Sequence, residues 1–217
     1  SLAAWEVPLI GINLGRLGFL VDVSPDEIEH CLDRILAGEY EEEPRCMLSA
    51  RVDGTRSASE PERALNDVVV HTWYTARMIE FETYIDGDFV NAQRSDGIIV
   101  SSPTGSTAYA LSGGGPLLHP TLNALVLVPI CPHTLSNRPL VVGGSSRVEI
   151  RIGGTDQGQV EITCDGQTNL ALGPRSRVHI ELAPHPLRLL HPKGHDHYKI
   201  LRAKLGWGGH PPGSGPC

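Results

Sequence analysis

Aromatic residues are scarce in this sequence, and it has no long apolar run and no excess of basic residues. Phe, Trp and Tyr make up 5% of the 217 residues, and the net charge is -7. A transmembrane helix needs about 20 consecutive apolar residues, and a nucleic-acid groove needs clustered Lys and Arg. We therefore expect neither a membrane nor a nucleic acid as partner, and the 40% of hydrophobic residues predict globular domains.

The sequence also lacks paired cysteines and several well-known catalytic motifs. Five scattered cysteines without a Cys-x-x-Cys pair indicate reduced thiols rather than a disulfide framework or a zinc knuckle. The N-terminus has no basic flank typical of a signal peptide, so we expect a cytoplasmic protein. No Gly-x-Ser-x-Gly, His-Glu-x-x-His or Walker A motif occurs, and the spacing of Gly11, Gly15 and Gly18 differs from a dinucleotide fingerprint.

One helix is clearly indicated near the N-terminus. Ser24 is placed as its N-cap, Pro25 as its first residue and Glu27 as the partner in a capping box, with Gly38 at its end. Its apolar face is formed by Ile28, Cys31, Leu32, Ile35 and Leu36. We expect this helix to be scaffold.

From about residue 46 the hydrophobic period changes to two. Segments 47–52 and 78–85 run into Asp53-Gly54 and Asp86-Gly87, which are typical hairpin turns. The same alternation occurs at 148–152, 160–164 and 178–182. With 24 glycines and 17 prolines, the chain favours many short strands in a β-rich, layered domain.

The most informative stretch is 94–116, which combines an apolar strand, a turn of small hydroxyl residues and a triple-glycine exit. Thr104, Ser106 and Thr107 could cap a short helix whose free N–H groups attract a phosphate. A well-capped structural corner explains the same residues. The density of hydroxyls and glycines beside Asp96 and Arg94 favours a ligand site.

Two polar turns are further candidates. Asn66-Asp67 precedes an apolar strand, and paired amide and carboxylate groups can hold ribose hydroxyls, although Asn-Asp most often forms a turn. Asp165-Gly166-Gln167 is interpreted first as a hairpin turn and second as a ligand contact. Cys131 and His133 lack an orienting third group, so we reject catalysis by that pair. His195-Asp196-His197 offers metal-ligating groups, but a solvent-facing cluster is favoured.

Taken together, these segments resemble the bacterial NAD kinase family over roughly residues 2 to 207. The resemblance is carried by Gly11-Ile12-Asn13-Leu14-Gly15-Arg16-Leu17-Gly18-Phe19-Leu20, Asn66-Asp67, the block 94–120, and Cys131-Pro132-His133-Thr134-Leu135-Ser136-Asn137-Arg138-Pro139-Leu140. It implies transfer of the γ-phosphoryl group of ATP, or of polyphosphate, to the 2'-hydroxyl of the adenosine ribose of NAD, with Mg²⁺ or Mn²⁺. It also implies a homodimer or homotetramer.

By residue match, the resemblance assigns contacts with NAD to thirteen residues. Asn66 and Asp67 would hold the ribose and the phosphate bridge, Asp96 would lie at the nicotinamide side, and Phe19 would stack on a base. Lesser contacts are assigned to Arg77, Arg94 and Gln167. The adenine and second-ribose pockets would be lined by Thr107, Ala108, Tyr109, Ala110, Leu111 and Ser112.

The sequence departs from the family pattern in one respect. The family's Gly-Gly-Asp-Gly loop, whose aspartate accepts the 2'-hydroxyl proton, belongs upstream of Val7 and does not occur here. We therefore expect an N-terminally truncated chain without a catalytic residue of its own. Its expected parts are the remnant of an N-terminal α/β nucleotide-binding domain (1–45), a β-rich, sandwich-like NAD-binding domain (46–190), a returning C-terminal segment (191–207) and a disordered tail (208–217).

Two other functions are compatible with parts of this sequence. A non-catalytic NAD-binding module would explain the missing loop. A lipid kinase shares a related glycine-rich loop, but the acidic charge balance and the lack of a basic amphipathic helix disfavour it.

Overall fold

The computed structural model describes residues 7–14, 19–20, 23–53, 61–73, 78–134, 136–154 and 160–207. The described residues form three α-helices, α1 (Ile28–Leu36), α2 (Tyr109–Ser112) and α3 (His197–Leu205). They also form fourteen strands: β1 (Tyr40–Arg45), β2 (Leu48–Val52), β3 (Glu62–Ala64), β4 (Asp67–Thr72), β5 (Ile79–Ile85), β6 (Asp88–Ser95), β7 (Gly97–Ser101), β8 (Ala124–Ile130), β9 (Leu140–Gly143), β10 (Val148–Ile152), β11 (Val160–Cys164), β12 (Thr168–Leu172), β13 (Arg177–Leu182) and β14 (Leu187–Pro192). None of the described helices is long and apolar enough to cross a membrane.

The chain divides into two compact units. The first contains Pro44–Leu187, and the second contains the described residues of Pro8–Glu43 and Arg188–Cys217. The second unit is therefore built from both ends of the chain. The domain boundaries that the sequence analysis expects, at residues 45 and 190, stay a prediction.

The first unit is a sandwich of two six-stranded sheets, as the alternating segments predict. One sheet has the strand order β3-β2-β13-β10-β5-β6, and the other has the order β12-β11-β4-β7-β8-β9. Inward side chains of both sheets share one buried cluster, which includes Leu48, Phe81, Ile150, Val68 and Val100. Because strand side chains alternate between faces, every second residue of β5 enters this core while Glu80 and Glu82 remain exposed.

The second sheet is also covered on part of its outer face. Val69, Ile99 and Val128 point away from the sandwich core and pack with Ala110 of α2 and with Leu118. This second apolar layer explains why β4, β7 and β8 are nearly continuous apolar runs rather than alternating ones.

The second unit contains the predicted N-terminal helix. Ser24 Oγ lies 2.7 Å from Glu27 Oε2, and the Ser24 backbone N–H donates to the same oxygen at 3.2 Å, so the capping box is confirmed. The first turn is a 3-10 turn at Pro25–Glu27, and α1 follows it. Of the expected apolar face, Cys31 and Ile35 are buried, whereas Leu32 and Leu36 are exposed.

Two predicted hairpin turns have the backbone geometry that Asp-Gly pairs favour. Asp86 and Gly87 have φ of 54° and 91° between β5 and β6, and Asp165 and Gly166 have φ of 49° and 65° between β11 and β12. Left-handed conformations at both central residues are those of a type I′ turn. Gly54 lies outside the described residues.

Candidate functional site

A cavity of about 750 Å³ opens on the outer face of the second sheet in the first unit. Three separate segments contribute to its lining: the start of β4, the junction between β6 and β7, and the corner that leads into α2. Its lining residues include Asn66, Asp67, Asp96, Ala108 and Tyr109. This volume lies in the usual range for a small-molecule site, which is about 300–1,000 Å³.

Strand pairing explains how these segments meet. β4 and β7 are antiparallel neighbours with Asp67 opposite Ser101, so the start of β4 lies beside the end of β7. The corner after β7 then folds over that point, because the Ser102 backbone N–H donates to the Asn66 carbonyl at 2.9 Å and Ser102 Oγ donates to the Leu65 carbonyl at 2.5 Å. Residues 36 and 37 positions apart are thus held against each other by one main-chain bond and one side-chain bond to the main chain.

The glycine at the corner serves the fold rather than a ligand. A Cβ atom on Gly105 would overlap the carbonyl of Asn66 and lie 2.6 Å from its Cα. The corner can approach the Asn66 backbone this closely only because residue 105 has no side chain.

The hydroxyl groups of the corner are also used internally. Ser106 Oγ donates to the Pro103 carbonyl at 2.7 Å and accepts the Leu118 N–H at 2.9 Å. Thr107 Oγ1 donates to the Thr104 carbonyl at 3.1 Å. The 3-10 turn Thr104–Thr107 has no side-chain cap, and α2 is four residues long. The hydroxyl groups of the corner therefore stabilise its own backbone conformation.

Asp67 is a buried carboxylate at the cavity wall. Burial and the nearby charge of Asp165 raise its pKa from 3.8 to about 6, although the backbone N–H of Tyr109 donates to it and lowers the pKa. The side chain of Asp67 can consequently change protonation state close to neutral pH. Tyr109 also contributes a phenol that is 46% exposed.

Asp165 fixes the backbone that carries Asn66 and Asp67. One carboxylate oxygen accepts the Leu65 N–H at 2.7 Å, and the other accepts the N–H groups of Asn66 at 2.8 Å and Asp67 at 3.1 Å. Its own left-handed conformation, φ 49°, aims the carboxylate back at this segment. The turn that the sequence indicated therefore also positions the backbone of Asn66 and Asp67.

Sequence reasoning missed several lining residues on β4 and β11. His71 and Glu161 are register partners, and His71 Nε2 lies 3.1 Å from Glu161 Oε1. Trp73 is 66% exposed beside them and also lines the cavity. Strand alternation would have predicted that His71 lies on the same face of β4 as Asp67, because residues 67, 69 and 71 all point to that face.

Three of the residues predicted to contact NAD are not among the described lining residues of this cavity: Arg94, Ala110 and Gln167. Arg94 pairs with Glu80 at 3.1 Å and lines a separate cavity of about 610 Å³. Ala110 is fully buried in the apolar layer behind the corner. Gln167 is exposed in the β11–β12 turn, where its N–H donates to the Cys164 carbonyl at 2.9 Å.

The remaining candidates are placed as follows. Thr107 and Leu111 are half-buried and Ser112 is exposed, and none of the three is among the cavity's described lining residues. Phe19 is half-buried and belongs to the second unit. Arg77 lies outside the described residues.

Comparisons with known proteins identify the class to which this sandwich belongs. Residues 65–191 match the model of the ATP-NAD kinase C-terminal domain, and residues 1–40 match that of the ATP-NAD kinase N-terminal domain. Both matches indicate a phosphotransferase that acts on a dinucleotide.

Individual relatives agree with this class. NAD kinases of Hahella chejuensis and Nitrosococcus oceani are 52% identical over 207 residues and 53% identical over 208 residues. The matches cover 95% and 96% of this chain and 70% and 71% of those proteins. The chain belongs to the NAD kinase family, and the enzyme class expected from its motifs is confirmed.

Solved structures support the fold. A yeast NADH kinase solved with NADH superposes with a TM-score of 0.85 at 26% identity, covering 94% of this chain and 60% of that one. An NAD kinase from Archaeoglobus fulgidus solved with ATP has a TM-score of 0.74 at 28% identity, covering 93% of this chain and 75% of that one. The expected α/β part followed by a β-rich sandwich is confirmed.

Proposed function

We propose that the cavity at Asn66, Asp67, Asp96 and Tyr109 binds NAD, and that the protein containing this chain phosphorylates it with ATP. The 2'-hydroxyl oxygen of the adenosine ribose forms a bond to the γ-phosphorus and loses its proton while the bond to the bridging β–γ oxygen breaks, which yields NADP, ADP and a proton. We assign binding and positioning to the residues of this chain, and no proton acceptor among them.

A single observation carries the proposal: polar groups from three distant segments line one cavity. Asn66 supplies an amide that donates and accepts, and Asp67 supplies a carboxylate that accepts two hydrogen bonds. This pair suits the vicinal hydroxyls of a ribose. Relatives solved with NADH and with ATP have the same fold.

The protonation state of Asp67 matters for ribose binding. An ionised carboxylate can accept hydrogen bonds through both oxygens, whereas a protonated one carries a hydroxyl group of its own. Hydrogen bonds from the ribose hydroxyls therefore favour the ionised form of Asp67. The burial that raises the pKa of Asp67 to about 6 also strengthens each hydrogen bond it makes once it is ionised.

Two aromatic side chains and one carboxylate would complete the dinucleotide pocket. Tyr109 and Trp73 offer exposed rings on which a base can stack, and Asp96 stands where the chain crosses from one sheet to the other between β6 and β7. The Asp96 N–H donates to the Ile130 carbonyl at 3.0 Å, and its own carbonyl accepts the Thr72 N–H at 3.1 Å. Its backbone is therefore fixed while its carboxylate is left to bind the nicotinamide side.

The divalent cation that the family implies, Mg²⁺ or Mn²⁺, would be shared with the phosphates of ATP. Mg²⁺ is usually held by one or two carboxylates together with substrate phosphates and water. Of the described carboxylates at the cavity, those of Asp165 and Glu161 are engaged with backbone N–H groups and with His71. Asp67 accepts the Tyr109 N–H and is assigned to the ribose, and Asp96 is assigned to the nicotinamide side, so we assign no ligand of the cation to this chain. When bound, the cation neutralises phosphate charge.

We also propose a homodimer or homotetramer in the cytoplasm. Apolar side chains are exposed on two edge strands, Phe89 and Val90 on β6 and Leu140 and Val141 on β9, and covering them would bury apolar surface. The free thiols of Cys31, Cys46, Cys131 and Cys164 fit a reducing compartment.

The direct test measures NAD-dependent formation of ADP from ATP by the native protein that contains these 217 residues. Calorimetric titration of the 217-residue chain with NAD is run in parallel, together with the Asp96→Asn variant and the exposed control Asp88→Asn. We expect turnover, NAD binding, and about tenfold weaker binding for Asp96→Asn alone.

The outcomes separate the alternatives. NAD binding without turnover in the native protein would support a non-catalytic dinucleotide module. Turnover with polyphosphate but not with ATP would show that polyphosphate is the phosphoryl donor, and NAD would stay the acceptor. An Asp96→Asn variant that unfolds, with unchanged NAD affinity in its folded fraction, would make Asp96 structural. Absence of both binding and turnover would reject the proposal.

A further inference from the structure

Two imidazoles and a carboxylate converge in the second unit. Glu43 lies on β1, His191 on β14 and His195 in the turn before α3, and one donor atom of each lies within 4.8 Å of the other two. Glu43 Oε2 and His191 Nε2 are 3.1 Å apart. In the described part of the chain, this is the one group of three such side chains that could hold a metal ion.

The cluster is shielded from water. The side chain of His191 is 3% exposed and that of Glu43 is 14% exposed. The rings of His191 and His195 stack with centroids 3.8 Å apart and an angle of 25° between their planes. The two rings are therefore in direct contact beside the Glu43 carboxylate.

The loop that joins the two histidines is held in place by neighbouring side chains. Arg34 Nη2 donates to the Lys193 carbonyl at 3.4 Å, and the Gly194 N–H donates to Glu41 Oε1 at 3.4 Å. Gly194 has φ 92°, a conformation that turns the chain sharply between His191 and His195. The backbone that carries the two rings is thus fixed by the fold.

The donor set selects a class of cation. Imidazole nitrogen together with one carboxylate suits Zn²⁺ and related transition metals, whereas Mg²⁺ and Ca²⁺ prefer oxygen ligands only. Tetrahedral Zn²⁺ with ligand bonds of about 2.0–2.2 Å places donors about 3.3 Å apart. The 3.1 Å between Glu43 and His191 is already close to that spacing. His195, whose ring stacks on that of His191, must turn out of the stack for its nitrogen to reach the same cation.

From these observations we propose that Glu43, His191 and His195 form a binding site for a divalent transition-metal cation of the zinc class, with water as fourth ligand. The cation joins β1, β14 and the segment before α3, and so stabilises the second unit. The site shares no residue with the proposed NAD-binding cavity, and its test is independent of kinase activity.

The sequence pointed to a different set of ligands. Within His195-Asp196-His197, Asp196 is engaged as the N-cap of α3, where its carboxylate accepts the Lys199 N–H at 3.0 Å. The partners of His195 come instead from positions 191 and 43. His191 and His195 are four residues apart but do not lie on one helix, because the chain turns at Gly194 between them. Their spacing alone therefore did not indicate a shared site.

The test uses the 217-residue chain stripped of metal with a chelator. Calorimetric titration with Zn²⁺ is expected to show one tight site, and Co²⁺ is expected to give the visible absorption of a four-coordinate nitrogen and oxygen site. Glu43→Gln and His195→Gln each remove one ligand, and each is expected to weaken Zn²⁺ binding by about 100-fold or more. His30→Gln, on the exposed face of α1, is the matched control and should leave binding unchanged.

Several results would overturn the proposal. One is the absence of a stoichiometric site. Another is a thiolate charge-transfer band with Co²⁺, which would place the metal on cysteines. A third is equal Zn²⁺ affinity in His195→Gln, Glu43→Gln and His30→Gln, which would leave the 3.1 Å contact as a simple ion pair. Circular dichroism of each variant without metal establishes that the comparison is made between folded proteins.

Discussion

The carboxylate of Asp165 accepts the backbone N–H of Asp67 at 3.1 Å, although 98 residues separate the two in the chain. The same carboxylate accepts the N–H groups of Leu65 and Asn66. A hairpin turn between β11 and β12 therefore sets the position of the pair proposed to hold the ribose. Asp165 is a positioning residue in this arrangement.

Asp165→Asn is expected to weaken NAD binding by about tenfold or more, because one backbone N–H then faces an amide donor. Asparagine tolerates the left-handed conformation at this position, so the fold should survive. The variant also removes the charge that helps to raise the pKa of Asp67, so the pH midpoint of NAD binding should move downward. Calorimetric titration over a pH series measures both effects. An unchanged midpoint would mean that Asp165 acts on the fold alone.

The raised pKa of Asp67 makes stability depend on pH. Because the folded-state pKa is about 6 and the ordinary value is 3.8, this group's contribution to stability is fully present below about pH 3.8 and is lost as the pH rises through about 6. The difference corresponds to about 3 kcal/mol. Asp67→Asn should therefore be more stable than the wild type at pH 7.5 and nearly equal to it near pH 4.

Urea unfolding at a series of pH values measures this effect, with Asp88→Asn as an exposed control. NAD binding by the wild type should weaken below about pH 6, approaching about tenfold per pH unit, because the ribose hydroxyls need the ionised carboxylate. Asp67→Asn should bind NAD more weakly at pH 7.5 and show no such dependence. A wild-type affinity that is flat between pH 5 and pH 7 would remove Asp67 from the ribose site.

The close approach of the corner to Asn66 predicts that Gly105→Ala is poorly tolerated. A methyl group there meets main-chain atoms that cannot move aside, so we expect a loss of about 1–3 kcal/mol in the free energy of unfolding and loss of NAD binding. Gly143→Ala is the control, since its nearest neighbour would be Ser145 Oγ at 4.0 Å. Chemical denaturation of both variants decides the question, and equal stability would contradict the predicted overlap.

Trp73 offers an optical signal for the proposed site. Its exposed indole lines the cavity, so stacking by a bound base should quench its fluorescence. We expect the quenching by NAD to be lost in Trp73→Phe and kept in Trp207→Phe, and Trp73→Ala to weaken binding by about tenfold. Full quenching in Trp73→Phe would place the base elsewhere.

Local patterns predicted much of the framework. The capping box at Ser24 and Glu27, the alternation in β5 and β10 and the turns at 86–87 and 165–166 depend on neighbours within a few residues, and they appear as expected. Strand β1 was missed, because its sequence Tyr-Glu-Glu-Glu-Pro-Arg has no apolar alternation. Its pairing with β14 is a contact between residues more than 140 positions apart.

The candidate site was predicted in part, and its contacts with NAD remain predictions. Asn66, Asp67, Asp96, Ala108 and Tyr109 were named from their motifs and do line one cavity. Arg94 was named from the same block, but strand alternation places it with Glu80 at a different cavity. Neighbours in sequence point to opposite faces of a strand, so a motif alone cannot assign all of its residues to one site.

The sequence by itself determined many of the strands, the Asp-Gly turns at 86–87 and 165–166, and the family to which the ordered motifs belong, because each of these depends on residues close together in the chain. Only the tertiary structure decided that the Asp165 carboxylate clamps Asn66 and Asp67, that Gly105 makes room for the Asn66 carbonyl, and that His195 meets Glu43 and His191. These relations depend on strand order and register, which long-range packing selects and no local pattern encodes.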